Sequence, residues 1–372
     1  MIEKSQIPYL LALTKLKGIG PRRSKILVSY SGGFEAVFSQ SKRELMSIPG
    51  IKEVNAKVIL ETGEAALKTA TKELKFLENN PDIHILPYTS EHYPDRFRQY
   101  EDCPLFLYYR GNLDSLQSKR TIGIVGTRDA SSYGVDICRS IVTQLQDYGV
   151  SVISGLAYGI DTAAHQRSVE LGVPTIGILG HGLDKIYPSA NRKLADKMIA
   201  DGGLISEFPP GSRPAREHFP MRNRLVAALS DAVIVVESAH KGGSMITADL
   251  ANGYHKDVFA VPGRISDERS AGCNLLIKAH KANLYQSVKD VAYIMGWNAE
   301  ATQPRQMVMA LDLTPEEQTI IDVIKDLESA SPDQLIYRLD LTLSQISTQL
   351  LNLEFKGIVK SLPGKKYTLA HK

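Results

Sequence analysis

Gly126-Thr127-Arg128, Ser154-Gly155, Arg222-Asn223-Arg224 and Lys241-Gly242-Gly243-Ser244 are the segments whose residue types could do chemistry. Small residues there offer backbone N–H and hydroxyl donors, and three of the four segments add a cation. That combination holds anions, phosphate above all: the N–H groups converge on the ligand and the guanidinium fork matches its oxygens. A fifth segment, Tyr187-Pro188-Ser189-Ala190-Asn191-Arg192-Lys193, opens a helix with cations in its first turn, with Lys185 just ahead. Positive charge there opposes the helix dipole and is offset by a nearby phosphate. The combined cation supply exceeds what a dinucleotide needs.

Other chemistries find no support in the spacing. The loop at Gly126 is not G-x-G-x-x-G, no G-x-x-x-x-G-K-[ST] occurs, and Ser154 lacks the G-x-S-x-G of a nucleophile elbow. No H-E-x-x-H or two-metal carboxylate cluster is present, and His165, His181, His218, His240 and His255 have no ligand spacing. Asp161 heads a helical stretch and reads as its cap rather than as an acid catalyst. No cofactor, no metal and no catalytic residue are expected. Tyr158, Tyr187 and Phe219 offer faces for bases to stack on or for packing, and Phe219 reads as packing.

The elements that must carry these segments alternate. Short Val- and Ile-rich runs at 121–125, 151–154, 175–179, 203–206, 232–236 and 257–260 read as strands buried on both faces. Helical patterns at 133–148, 162–171, 191–201, 219–229 and 247–253 separate them, which implies right-handed crossovers and a doubly wound parallel sheet. The phosphate-type segments then gather at the carboxyl ends of the strands, where open sheets take ligands.

On either side the pattern changes. Leu10 to Tyr30 and Leu45 to Ile59 each read as helix, glycine turn, helix. The first turn, Lys17-Gly18-Ile19-Gly20-Pro21-Arg22-Arg23, suits a phosphate-contacting hairpin. The second, Pro49-Gly50-Ile51, lacks a second glycine and serves either as a contact or as packing alone. A Lys/Glu-rich connector runs from Thr71 to Asn79, and 105–109 reads as a further strand. After a polar linker, Thr314-Pro315, Ser331-Pro332 and Thr342 start three helices and 357–369 forms a hairpin, the pattern of a winged helix. Its third helix offers either a duplex-reading or a protein-contacting face. The expected divisions are 1–75 (helix-hairpin-helix), 76–297 (Rossmann-like core), 298–310 (linker) and 311–372 (winged helix).

Composition agrees with a soluble α/β chain of 372 residues, 43% hydrophobic and 23% charged, with a net charge of only +3. Residues 1–70 hold 11 Lys+Arg against 6 Asp+Glu, and 311–372 hold 7 against 9, so the amino-terminal end is the basic one. Three scattered cysteines form no metal or disulfide framework and suit a reducing cytoplasm. No apolar run reaches the about 18 residues of a membrane span.

Taken together, Ile124-Val125-Gly126-Thr127-Arg128, Ser154-Gly155-Leu156-Ala157-Tyr158-Gly159-Ile160-Asp161-Thr162-Ala163-Ala164-His165, Ile186-Tyr187-Pro188 with Asn191, Ser206-Glu207-Phe208, Phe219-Pro220 with Arg222-Asn223-Arg224, Lys241-Gly242-Gly243-Ser244 with Ala248, and Val261-Pro262-Gly263 resemble the DprA/Smf family (DNA processing protein A) over roughly residues 85–290. The resemblance implies an extended Rossmann-like parallel sheet core flanked by helix-hairpin-helix and winged-helix modules. It implies a protein without catalytic activity that binds single-stranded DNA, protects it during natural transformation, loads the recombinase RecA and acts as a homodimer. Arg128, Arg222 and Arg224 would hold phosphates. Gly126, Thr127, Ser154, Gly155, Gly243 and Ser244 would supply donors, and Lys185, Asn191, Asn223, Lys241 and Gly242 would extend the track. An alternative is a nucleoside-monophosphate phosphoribohydrolase of the lysine-decarboxylase-like group, which uses P-G-G-x-G-T-x-x-E. Here Met245 and Ile246 replace that glycine and threonine, and Asp249 keeps the acid.

Overall fold

The computed structural model describes residues 3–297, 313–327, 329–339, 341–362 and 366–369. They fall into two compact units, within 1–302 and 303–372. The expected linker at 298–310 and positions 363–365 of the expected hairpin lie outside the described residues.

The chain opens with five helices: α1 (Ile7–Leu13), α2 (Pro21–Ser31), α3 (Phe34–Ser39), α4 (Lys42–Ser47) and α5 (Glu53–Glu78). The turn between α1 and α2 and the turn between α4 and α5 form the two hairpins. Gly18 and Gly50 take left-handed φ of +77° and +79°, which a side chain disfavours. Gly20 and its counterpart Lys52 are both extended, at φ −82° and −94°, so the second position tolerates any residue. The missing second glycine therefore alters no backbone. The connector expected at 71–79 is the last part of α5, a single helix of 26 residues.

Helices and strands then alternate. They are β1 (His84–Pro87), α6 (Asp95–Arg98), β2 (Phe106–Gly111), β3 (Arg120–Val125), α7 (Ser132–Leu145), β4 (Val150–Ser154), α8 (Ile160–Leu171), β5 (Thr175–Leu179), α9 (Arg192–Asp201), β6 (Gly203–Ser206), α10 (His218–Leu229), β7 (Ala232–Val235), α11 (Gly243–Gly253), β8 (Asp257–Ala260), α12 (Ala271–Lys278), β9 (Asn283–Leu284) and α13 (Val288–Ile294). One sheet orders the strands β1-β2-β6-β5-β4-β3-β7-β8-β9. From β6 to β9 every pairing is parallel, as the alternation predicts. The sheet is nonetheless mixed, because β2 pairs antiparallel with β6 and β1 with β2. Strand order reverses beside β3, which has β4 on one side and β7 on the other. The loops after β3 and β7 thus flank a switch point, where such sheets open a crevice.

The hairpin helices are not set apart from this sheet. Leu10, Leu11 and Leu13, none of them exposed, share one apolar cluster with Phe106, Tyr108, Leu156, Leu179 and Leu204. Burying that much aliphatic surface is what docks the hairpins on the sheet.

The second unit holds α14 (Pro315–Leu327), α15 (Pro332–Leu339), α16 (Leu343–Phe355) and the antiparallel hairpin β10 (Val359–Leu362) and β11 (Lys366–Leu369). Ala330 bridges to Tyr367 beside it. Ile320, Ile324, Leu335, Ile346, Leu350 and Leu353 form its core, the winged-helix arrangement read from the sequence.

Candidate nucleic-acid interface

The crevice is built by knitting three loops, those after β3, β4 and β7, with backbone bonds. The Thr127 N–H donates to the Glu237 carbonyl at 2.8 Å, and the Ile160 N–H donates to the Thr127 carbonyl at 3.2 Å. The approach is close enough to dictate glycine. A Cβ on Gly126 would lie 2.5 Å from Ile160 Cγ1, and one on Gly159 would lie 2.3 Å from the Thr127 carbonyl oxygen at a φ of +73°. These glycines fix the loop-to-loop contact and so aim the next residue, Arg128, outward.

Arg128 is exposed and pairs with no carboxylate among the described residues. Its guanidinium carbon sits 4.9 Å from the Phe219 ring centre, a cation–π distance that holds the fork over the ring. Arg128 and Phe219 stand between two lobes. One is an open trough of about 400 Å³ lined by Gly126, Thr127, Asn223, Gly242, Gly243 and Ser244. The other is a much smaller pocket, of about 20 Å³, with Tyr158, Tyr187 and His181 in its wall. Phe219 thus does more than pack, because it faces both lobes and carries Arg128.

Helix α11 begins at the trough with no side-chain cap; its N-cap is Gly242. The sequence reading started this helix at Thr247. It starts at Gly243, so the Gly-Gly-Ser segment is the first turn itself, with unsatisfied N–H groups and the positive end of the dipole toward the trough. Lys241 is exposed at the turn just before it.

Several expected site residues face inward. Arg222 is 4% exposed, and its Nη1 donates to the carbonyls of Gly155 and Ile178. A Cβ on Gly155 would lie 2.1 Å from that nitrogen, so Gly155 is small to admit an arginine. Ser154 Oγ donates to the Ile124 carbonyl at 2.6 Å, and Ser244 Oγ donates to Ser238 Oγ at 2.8 Å. Asn191 Nδ2 donates to the Leu156 carbonyl at 3.0 Å and to Thr162 Oγ1 at 2.8 Å. Asn223 Nδ2 donates to the Gly243 carbonyl at 3.3 Å, tying α10 to the start of α11.

Arg224 is occupied as well. It pairs with Glu207, approaches Asp102 at 3.8 Å and donates to the Asp102 carbonyl at 2.8 Å. Lys185 is exposed with Asp184 at 4.0 Å. Among Arg128, Arg222, Arg224, Lys185 and Lys241, Arg128 and Lys241 are the two that are exposed and form no ion pair with a carboxylate of the described residues; Arg222 forms none either, but it is buried against two carbonyls.

Asp161 is a correction. It lies inside α8, whose N-cap is Gly159, and its Oδ2 accepts the Ala157 N–H at 3.2 Å. Burial raises its carboxyl pKa, and the Arg222 charge opposes that rise. Burial likewise raises Glu207, opposed by Arg224. His165 is fully buried and pushed down to about 3 by burial, with Arg222 adding to the shift. His181 is lowered by burial too. The sequence reading missed the charge partners Glu207 and Asp102, and it missed Glu237, which is buried and accepts the Ser131 N–H at 2.9 Å at the head of α7. Their separations along the chain, 17 residues for Glu207–Arg224 and 106 for Ser131–Glu237, carry no local signal.

Asp249, the acid kept from the hydrolase pattern, is exposed on α11 and pairs with Lys281 at 2.8 Å. Among the described residues, no cluster of three or more His, Cys, Asp or Glu groups could hold a metal ion, and no helix is long and apolar enough to cross a membrane.

Comparison with known proteins converges on one family. The profile described as DNA recombination-mediator protein A matches residues 84–296, that of the DprA winged helix domain 303–365, and that of a SAM-like helix-hairpin-helix tandem 10–62. The chain is 31% identical to Protein Smf of Synechocystis over 98% of both chains. It is 42% identical to DNA processing protein DprA of Streptococcus pneumoniae over 58% of this chain and 75% of that one. The X-ray structure of the S. pneumoniae protein superposes with a TM-score of 0.63 at 30% identity, covering 79% of this chain and 99% of that one. A Helicobacter pylori DNA processing protein A, described for its single-stranded DNA binding mode, superposes with a TM-score of 0.52 at 30% identity over 56% of this chain and 96% of that one. With residues 84–296 and both flanking modules matched, the chain belongs to the DNA recombination-mediator protein A (DprA/Smf) family of DNA-processing proteins.

Proposed function

We propose that the crevice binds single-stranded DNA and that the chain protects that strand and delivers it to RecA during natural transformation, acting as a homodimer and without a catalytic step. The observation that carries the DNA-binding reading is Arg128: exposed, without a carboxylate partner among the described residues, stacked on Phe219 and beside the uncapped start of α11. A phosphodiester satisfies both the fork and the helix N–H groups. Tyr158 and Tyr187, both about half exposed, give unpaired bases faces that a duplex would not reach. The single-strand binding described for the H. pylori relative supports the same choice. In this reading Arg128, Lys241, Gly242 and Gly243 touch DNA, while Arg222, Ser154, Asn191, Ser244 and Arg224 hold the loops that present them.

The test is a titration of the full chain with single- and double-stranded oligonucleotides of one sequence at two salt concentrations. Tighter, salt-dependent binding of the single strand is expected. Equal affinity for the duplex defeats the reading. The RecA and homodimer parts are checked separately, by RecA filament assembly on protein-coated single strands and by sedimentation. The hydrolase alternative gains nothing from Asp249, whose carboxylate faces Lys281 rather than the trough.

A further inference from the structure

We propose that Lys25 and Cys103 are a modification site: under oxidation they join covalently through one bridging oxygen, fastening the hairpin helices to the loop ahead of β2. Lys25 lies on α2, and Cys103 follows 78 residues later in that loop. Their Nζ and Sγ atoms are 2.6 Å apart. An N–H···O hydrogen bond spans about 2.9 Å, and sulfur is larger than oxygen, so a shared proton needs more room than this. Two single bonds of about 1.5 Å meeting at a tetrahedral oxygen span about 2.5 Å. A separation this short also matches the span of an N–O–S link, so one bridging oxygen fits without moving either side chain far.

The surroundings favour the pair. Cys103 is 2% exposed, so its partner is chosen by the fold rather than by collision. No carboxylate pairs with Lys25 among the described residues. Its other contacts are the Glu101 carbonyl at 3.4 Å and the Tyr88 ring, 5.7 Å from Nζ to the centroid. The remaining cysteines differ. Cys138 and Cys273 point at the carbonyls of Ile160 and Val235, and burial raises both thiols, Cys273 to about 12.

The oxidant is hydrogen peroxide, two equivalents per link. The Cys103 sulfur takes one oxygen from the first, breaking its O–O bond and releasing water, to give the sulfenic acid. The sulfenic oxygen then bonds to the Lys25 nitrogen. The O–H and one N–H give up two protons and two electrons, which reduce the second peroxide to two waters.

The loop that would be fastened is a junction. Glu101 pairs with Arg22 of α2 at 3.0 Å, and Asp102 accepts the Tyr254 hydroxyl at 2.7 Å and approaches Arg224. Exposed ion pairs of this kind exchange readily with solvent. A covalent link holds the loop on α2 until a thiol reductant opens it.

The experiment treats the full chain with hydrogen peroxide, digests it without reductant using a protease that spares lysine, and weighs the peptides. The expected product joins the Lys25 and Cys103 peptides with a gain of about 14 Da, one oxygen added and two hydrogens lost. Dithiothreitol returns the separate peptides. Cys103→Ala and Lys25→Gln each abolish it while keeping the wild-type circular dichroism. A Cys103 peptide carrying only extra oxygen overturns the proposal. So does a link lighter by about 2 Da, the mass of a direct S–N bond, and so does a link that persists in Lys25→Gln.

Discussion

Replacing Arg128, Arg222 and Arg224 by alanine one at a time separates three roles that look alike in sequence. Arg128 is exposed and rests on Phe219, so its loss takes no buried bond from the protein, and stability should move by no more than about 0.5 kcal/mol. A charge-assisted bond to a phosphate is worth about 1.5–3 kcal/mol. Single-strand affinity should therefore fall roughly 10- to 100-fold. One contact fewer also lowers the slope of log K against log salt by about 0.7 for a single strand. Arg222 behaves oppositely. Its removal strands the carbonyls of Gly155 and Ile178 and leaves the buried Asp161 without its opposing charge. Breaking such an arrangement costs about 3–5 kcal/mol. Arg224→Ala should fall between, because Glu207 is largely buried while Asp102 is about half exposed. Fluorescence anisotropy with a labelled oligothymidylate at about 50 and 200 mM salt, paired with urea melts of each variant, reads both quantities. An Arg128→Ala protein with unchanged affinity and slope refutes the reasoning. So does an Arg222→Ala protein with wild-type stability and a flattened slope.

Gly159→Ala should destabilise the fold and lower single-strand affinity together, because its Cβ meets the Thr127 carbonyl and its φ is left-handed; urea midpoints and the same titration check it. His165 gives a pH signature. Its folded pKa is pushed down to about 3 from 6.5, so the unfolded chain binds more protons between those values and stability falls as pH drops through that window. The raised Asp161 and Glu207 pull the other way, so the clean readout is a difference: the gap in urea midpoint between the wild type and His165→Gln should shrink from pH 7 to pH 4, and a gap constant across that range would contradict the assignment. Lys241→Ala should lower the salt slope as Arg128→Ala does, with an unchanged urea midpoint, since among the described residues its ammonium has no carboxylate partner.

Much of the architecture was legible because local pattern and global fold agree. The Val- and Ile-rich runs gave the six parallel strands from β3 to β8 within a residue or so of their ends, since runs of four to six residues rich in β-branched side chains are too short for helices and suit strands buried on both faces. Elements without such a signal were lost. β9 is only two residues long, and α12 and α13 follow loops that hide their periodicity. The antiparallel partners β1 and β2 were not separable from the core by composition, because pairing direction is a tertiary property. The winged helix was legible from its capping residues: Thr342 at the head of α16 accepts from the Gln345 N–H, a bond readable from types and spacing alone.

The site was legible as a place but not as a division of labour. Gly126, Gly155 and Gly159 resemble phosphate-cradling glycines in sequence. In the fold each is glycine because another part of the protein comes within van der Waals reach: Ile160, the Arg222 guanidinium and the Thr127 carbonyl respectively. The cationic loops sort the same way. An arginine near a crevice is either ligand or mortar, and its type cannot say which. What decides is whether the protein brings its own oxygen to the guanidinium. It does so for Arg222 through two carbonyls and for Arg224 through two carboxylates. For Arg128, among the described residues, it brings only the face of Phe219, which attracts the cation but accepts no hydrogen bond in the plane of the fork. The donors of Arg128 are thus left for an oxygen from outside, and Arg222 and Arg224, bonded within the protein, tie together the loops that present them.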